Sequence, residues 1–224
     1  MKRIAVTAAC SLAVLGAMVA PAQADTDDPG SAGDLVAGQT LDFFSTAIDL
    51  SRAEAAGNLV ESDGSVARLI DGTTGDVLEE VPASNVYADR AAIEAAADSG
   101  SMALPLPPNE AARGVIFGNC GSSYLYMRDG GSNDNDFEFS TGFDLNGSAY
   151  DFDWTIIFEG PGSYGARWED SGPMFPDAHW TSGWKSEYTG ANGLHTGEVT
   201  EGLAFKVSGG VCHTAGPAAS ANAS

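Results

Sequence analysis

Two cysteines, Cys120 and Cys212, bracket almost all of the β-prone sequence in this chain, and a covalent link between them constrains the fold more than any other feature. Cys120 lies in Gly114-Val-Ile-Phe-Gly-Asn-Cys-Gly-Ser-Ser-Tyr-Leu-Tyr-Met-Arg128, two apolar, strand-like runs separated by a Gly/Asn/Ser break. In an oxidising compartment an even pair is a disulfide rather than a metal site or a nucleophile. Closing a loop of about 90 residues stabilises by about 4 kcal/mol on the chain-entropy account.

The N-terminus supplies that compartment. Lys2 and Arg3 precede an apolar run from Ile4 to Ala20, and Pro21-Ala22-Gln23-Ala24 offers a small-residue cleavage pattern. Residues 1–24 therefore read as a secretory signal peptide, and secretion to the extracellular space is expected. Cys10 belongs to this signal, since Thr7-Ala8-Ala9 lacks a lipoprotein pattern. No later run approaches the roughly 20 apolar residues of a spanning helix, so no membrane association is expected after cleavage.

Charge narrows the partners. The chain has 10 basic and 31 acidic residues; without Lys2 and Arg3 the balance is eight against 31, a net −23. Such a field repels nucleic acid and anionic membranes.

Along the chain, residues 25–33 read as a disordered leader. From Asp34, Leu35, Val36, Leu41, Phe44 and Ile48 recur at spacings near three and four, predicting an amphipathic helix that stops at Gly57-Asn58. Ser65–Ile70 and Asp76–Val81 flank Asp71-Gly-Thr-Thr-Gly75 and predict a hairpin. Asn85–Gly100 predicts a second helix, with Ile93 as its single large apolar residue and a surface position expected. Leu104-Pro-Leu-Pro-Pro108 reads as a stiff connector. It closes an N-terminal α+β segment, 34–108, ahead of a disulfide-closed β domain, 109–213, and a disordered tail, 214–224.

Within 109–213, short β-prone runs alternate with turns such as Asn146-Gly147 and Gly160-Pro-Gly162. This predicts a mainly β fold, an antiparallel β-sandwich or small barrel. In Tyr150–Phe158 the alternation puts Tyr150, Phe152, Trp154 and Ile156 on one face and Asp151 and Asp153 on the other.

Three sets of residues could carry function. Trp180 and Trp184 fall around a Gly/Pro/Ser-rich stretch, 172–183, that reads as a long loop; with Trp168 and Tyr188 they are candidate ligand-binding rings, because exposed aromatics stack on sugar faces. Asp129, Asp134, Asp136 and Glu138 form the densest acidic run and are candidate ligands for calcium, although their spacing fits no EF-hand loop. Glu159, Glu169, Asp170 and Glu187 could supply a carboxylate pair for glycoside hydrolysis. A Gly-x-Ser-x-Gly elbow and a His-Glu-x-x-His helix are both lacking, and His179, His195 and His213 are too scattered for a zinc signature. The balance favours a non-enzymatic binding or interaction module for an extracellular glycan, cell-wall polymer or protein. A secreted hydrolase and a calcium-stabilised structural protein are the alternatives.

The signal, the Ala/Gly/Asp-rich composition and a C-terminal domain with cysteines near both ends resemble the small secreted proteins of unknown function common in actinobacteria. That resemblance implies an extracellular bacterial setting and assigns no residue a role.

Overall fold

A computed structural model describes residues 37–104, 118–131 and 135–223. The signal, the leader, most of the proline connector and Asp134 lie outside them. The chain from Asp34 to Ser224 forms one compact unit.

Its strands are β1 (Ala37–Asp49), β2 (Leu59–Ser62), β3 (Val66–Ile70), β4 (Val77–Pro82), β5 (Val86–Tyr87), β6 (Gly118–Asp129), β7 (Asp136–Gly160), β8 (Tyr164–Thr181), β9 (Lys185–Tyr188), β10 (Gly193–Lys206), β11 (Gly210–Thr214) and β12 (Ala218–Ala223). Among the described residues two α-helices, α1 (Leu50–Ala55) and α2 (Arg90–Asp98), interrupt the N-terminal half. The fold is mainly β and antiparallel, as expected. Antiparallel pairing runs β1 to β6, β6 to β7, β7 to β10, β10 to β11 and β11 back to β1, closing a small barrel.

Closure depends on one bend. The first half of β7 pairs with β6 as far as Leu145, and from Ala149 the same strand pairs with β10 instead. Asn146-Gly147, expected to be a turn between two strands, is an irregularity inside this single strand; Gly147 has φ 108°, which favours glycine. A second register shift, between Ala149 and Asp151, changes the fate of Tyr150. Rather than joining Phe152, Trp154 and Ile156 inside, it packs against the second cluster beside Phe205, with Arg52 over its ring.

The barrel interior is filled by Phe43, Leu125, Met127, Phe139, Phe143, Trp154, Ile156 and Phe158, together with the disulfide-bonded pair Cys120 and Cys212. The pairing expected from the sequence is therefore present. β6 and β11 lie on opposite edges of β1, and the disulfide joins them through the interior.

The expected N-terminal helix is instead β1 followed by the single short turn α1. β1 is hydrogen-bonded on both edges, and Thr40, Phe43, Phe44, Thr46 and Ile48 suit a strand between neighbours. Register shifts at Phe43/Phe44 against β6 and at Ser45/Ala47 against β11 break the two-residue alternation. The apolar spacing consequently drifts toward three and four and imitates a helix. The Gly57 stop holds for α1, with φ 78° at Gly57. Asp49 caps that helix, accepting from the Arg52 amide at 3.0 Å.

The hairpin expected over 65–81 is β3–β4, extended by β2 into a three-stranded sheet. Its turn is held by Asp71, whose carboxylate accepts from the Thr73 and Thr74 amides; those bonds hold its pKa below the ordinary carboxylate value. The expected second helix is α2, capped by Asp89. Ile93, however, is fully buried against Ala47, Leu203, Phe205 and Val211, because α2 covers the outer face of the barrel. Its Arg90 fixes that placement by pairing with Asp151 and Asp153, the polar face of β7. Ile93→Ala is expected to destabilise the domain by about 2–5 kcal/mol, since α2 contributes no comparable apolar side chain to refill the site. A urea midpoint within error of wild type would show that the helix does not seal the barrel.

Ala218–Ala223, expected to be an untethered tail, form β12 against the first half of β10. Small side chains suit the position: Ala221 and Ala223 are buried. His213, the last residue expected of the β domain, lies in β11 with its pKa lowered by burial.

Candidate functional site

The open outer surface of β1, β6 and the first half of β7 carries a polar face with aromatic rings along it. Because side chains alternate, the burial of Leu125 and Met127 in the barrel sends Ser122, Tyr124, Tyr126 and Arg128 outward. The register brings Asp42, Thr40 and Gly38 of β1 beside Ser122, Tyr124 and Tyr126, and Asp144, Gly142, Ser140 and Glu138 of β7 to the other side of the same row.

Tyr124 and Tyr126 are stacked, with ring centroids 5.2 Å apart and planes 27° apart. Two glycines make room for them. A Cβ on Gly38 would stand 2.4 Å from Tyr126 Cδ1, and one on Gly142 would stand 2.7 Å from the Tyr124 hydroxyl oxygen. Hydroxyl contacts hold both rings: Tyr124 donates to Thr181 Oγ1 at 2.8 Å, and Tyr126 Oη lies 2.7 Å from Thr40 Oγ1. Partial burial raises the Tyr124 pKa, so its hydroxyl stays protonated at neutral pH.

Each end of the row is occupied by a carboxylate held by a neighbouring side chain. The Arg128 guanidinium binds Glu138 at 2.6 Å and lies 4.1 Å from the centre of the Trp184 ring. At the opposite end His179 Nδ1 is 2.7 Å from Asp144 Oδ1. Tyr188, 69% exposed, pairs with Asp136 at the β9 edge of the same sheet.

The candidate rings thus divide. Trp184 and Tyr188 belong to this face. Trp180 does not sit in an exposed loop, because 172–181 continue β8 along β7; its half-buried ring is 4.3 Å from Phe152 and 5.5 Å from Trp154, and it packs on the barrel core. Trp168 likewise packs edge-on against Phe139 at 5.3 Å. Gly and Pro in 172–183 suggested a loop, but β7 supplies a backbone partner on one edge of this strand. Sequence reasoning passed over Tyr124 and Tyr126. Their signal was the strict alternation Tyr-Leu-Tyr-Met, which puts two aromatic rings on the face opposite two core residues.

The acidic run is engaged by the protein. Glu138 binds Arg128, Asp136 is buried and accepts from Ser186 at 3.3 Å, and Asp129 accepts from the Gly131 amide at 3.2 Å. Among the described residues no three His, Cys, Asp or Glu side chains are grouped to hold a metal ion.

The four candidate acids for hydrolysis are dispersed. Glu187 accepts from the Tyr164 hydroxyl at 3.0 Å, Glu169 pairs with Arg167, and Asp170 stands opposite Trp154. Glu159 lines a shallow groove of about 580 Å³ with Glu198, Thr196, Thr200, Ser220 and Gln39. The register makes the two glutamates diagonal neighbours across β7 and β10, and both are exposed. A general acid with a raised pKa calls for a buried carboxyl, which this pair does not offer.

What the aromatic face can do follows from its parts. Ring faces stack on the C–H faces of pyranose sugars, while the hydroxyl of Ser122 and the carboxylate of Asp42 can exchange hydrogen bonds with sugar hydroxyls. No family model, curated protein or solved structure matches the chain.

Proposed function

We propose that this protein is a secreted, non-enzymatic binding module that holds an extended glycan, such as a cell-wall polymer, across the outer face of β1, β6 and β7. The observation that carries this reading is the stacked pair Tyr124–Tyr126, seated on two glycines and continued by Trp184 along one polar sheet face. A row of rings and polar groups along a sheet suits a polymer, which can spread small contacts over several sugars.

Tyr124→Ala and Tyr126→Ala are each expected to weaken polysaccharide binding by about tenfold, the loss typical of a central aromatic contact. Titration of soluble polysaccharides, followed by tryptophan fluorescence and calorimetry, reads the effect, with circular dichroism confirming the fold. Binding that survives the double Tyr124→Ala/Tyr126→Ala variant would remove this face from the proposal. Release of reducing ends from a bound polymer, abolished by Glu159→Gln or Glu198→Gln, would replace the reading with the hydrolase alternative.

A further inference from the structure

We propose that the glycan held on the Tyr124–Tyr126 face is an uncharged polysaccharide, and that polyanionic glycans are excluded from it. The inference rests on the binding-module reading above and adds the chemical class of the ligand.

Recognition of carboxylated, sulfated or phosphorylated sugars needs cationic donors that can turn to the ligand, with arginine the preferred partner. Among the described residues this face has one permanently charged cation, Arg128, and it is engaged twice. Its guanidinium binds Glu138 at 2.6 Å and covers the Trp184 ring at 4.1 Å. Turning Arg128 to an anionic sugar would break both contacts and leave Glu138 unpaired. His179 is similarly held by Asp144 at 2.7 Å. Lys185 stands opposite Phe139, at a register position on the other face of the sheet.

The carboxylates on the face are more numerous. Asp42, Glu138 and Asp144 follow the tyrosine row on both flanks, and among the described residues no cation is ion-paired with Asp42. Around them the whole chain carries a net charge of −21. An anionic polymer would be repelled on approach and would find no free cationic donor among the described residues of the face. A neutral sugar avoids both costs: its C–H faces meet the tyrosine rings, and its hydroxyls can donate to Asp42, Asp144 and the Ser122 hydroxyl.

Two forms of one polymer test this, a soluble neutral β-glucan and its carboxymethylated derivative, so that backbone and linkage stay constant while charge changes. The neutral form is expected to bind with an affinity that hardly depends on salt. The carboxymethylated form is expected to bind at least about tenfold more weakly at about 0.01 M salt, with the gap narrowing toward about 1 M as the screening length falls from ~30 Å to ~3 Å. Equal or tighter binding of the charged form at low salt, lost in Tyr126→Ala, would overturn the inference while leaving the binding face in place. If neither form binds, and no neutral polysaccharide in a wider panel does, the inference falls together with the module reading.

Discussion

Lys206→Met is expected to destabilise the protein by about 3–5 kcal/mol, the cost of leaving a buried charge without its partner. Lys206, at the end of β10, and Glu79, in β4, are 7% and 5% exposed, and the Lys206 ammonium donates to Glu79 Oε1. The carboxyl is enclosed further by Gly210, where a Cβ would stand 2.8 Å from Glu79 Oε1, and by the disulfide, with Cys120 Sγ 4.0 Å from Oε2. The pair therefore ties the three-stranded sheet to the barrel at a desolvated point.

Burial pushes the Glu79 carboxyl above its ordinary pKa, and Lys206 pulls in the opposite direction. Deleting Lys206 removes the opposing pull, so the folded-state pKa rises further above the unfolded value. A carboxyl raised on folding contributes most below its unfolded pKa, and that contribution is lost as pH rises through the folded pKa. The destabilisation of Lys206→Met should accordingly be smallest in acid and grow as pH increases from about 4, the ordinary glutamate value. Replacing both partners, as Glu79→Leu/Lys206→Met, should recover most of the loss, because desolvation of the two charges no longer has to be offset. Urea unfolding at several pH values measures all three effects. A single-variant loss that is small and independent of pH would show that water reaches the pair.

Removing the disulfide as Cys120→Ala/Cys212→Ala should cost about 4 kcal/mol on the chain-entropy account, within the 2–5 kcal/mol usual for native disulfides of small secreted domains. The link closes 92 residues of sequence and joins Cα atoms 6.0 Å apart. Both cysteines are fully buried among aromatic core residues, so alanine leaves small voids that add to the loss. The same change should appear as a lower urea midpoint for wild type in reductant. Coincident unfolding curves with and without reductant would mean that the barrel pairings alone hold β6 and β11 together. Taken with a typical folding free energy of about 5–15 kcal/mol, either substitution consumes a large share of the stability.

The residues that misled the sequence reading share a cause. Leu41, Phe44 and Ile48 looked helical because two bulges in β1 break the alternation, and those bulges exist only where β6 and β11 pair with it. Trp180 looked like a loop residue because glycine and proline surround it, whereas β7 pairs along that stretch and presents the ring to Phe152. Ile93 looked superficial because its helix is otherwise alanine-rich, yet it faces an apolar patch assembled from β1, β10 and β11. The tyrosine pair was written in the alternation Tyr-Leu-Tyr-Met, but its use as a face depends on Gly38 and Gly142 falling beside it in the register.

By itself the sequence determined what depends on near neighbours or on covalent chemistry. The β3–β4 hairpin with its Asp71 turn, the capped helix α2, the mainly β content and the pairing of Cys120 with Cys212 all follow from local spacing, capping and cysteine count. Only the tertiary structure decided the rest: closure of the barrel through the bend in β7, capture of the last residues as β12, burial of Ile93, and the gathering of Tyr124, Tyr126, Arg128 and Trp184 on one face. Strand register is responsible, since a shift of one residue sends every side chain to the opposite face and contacts across a barrel join residues far apart in the chain.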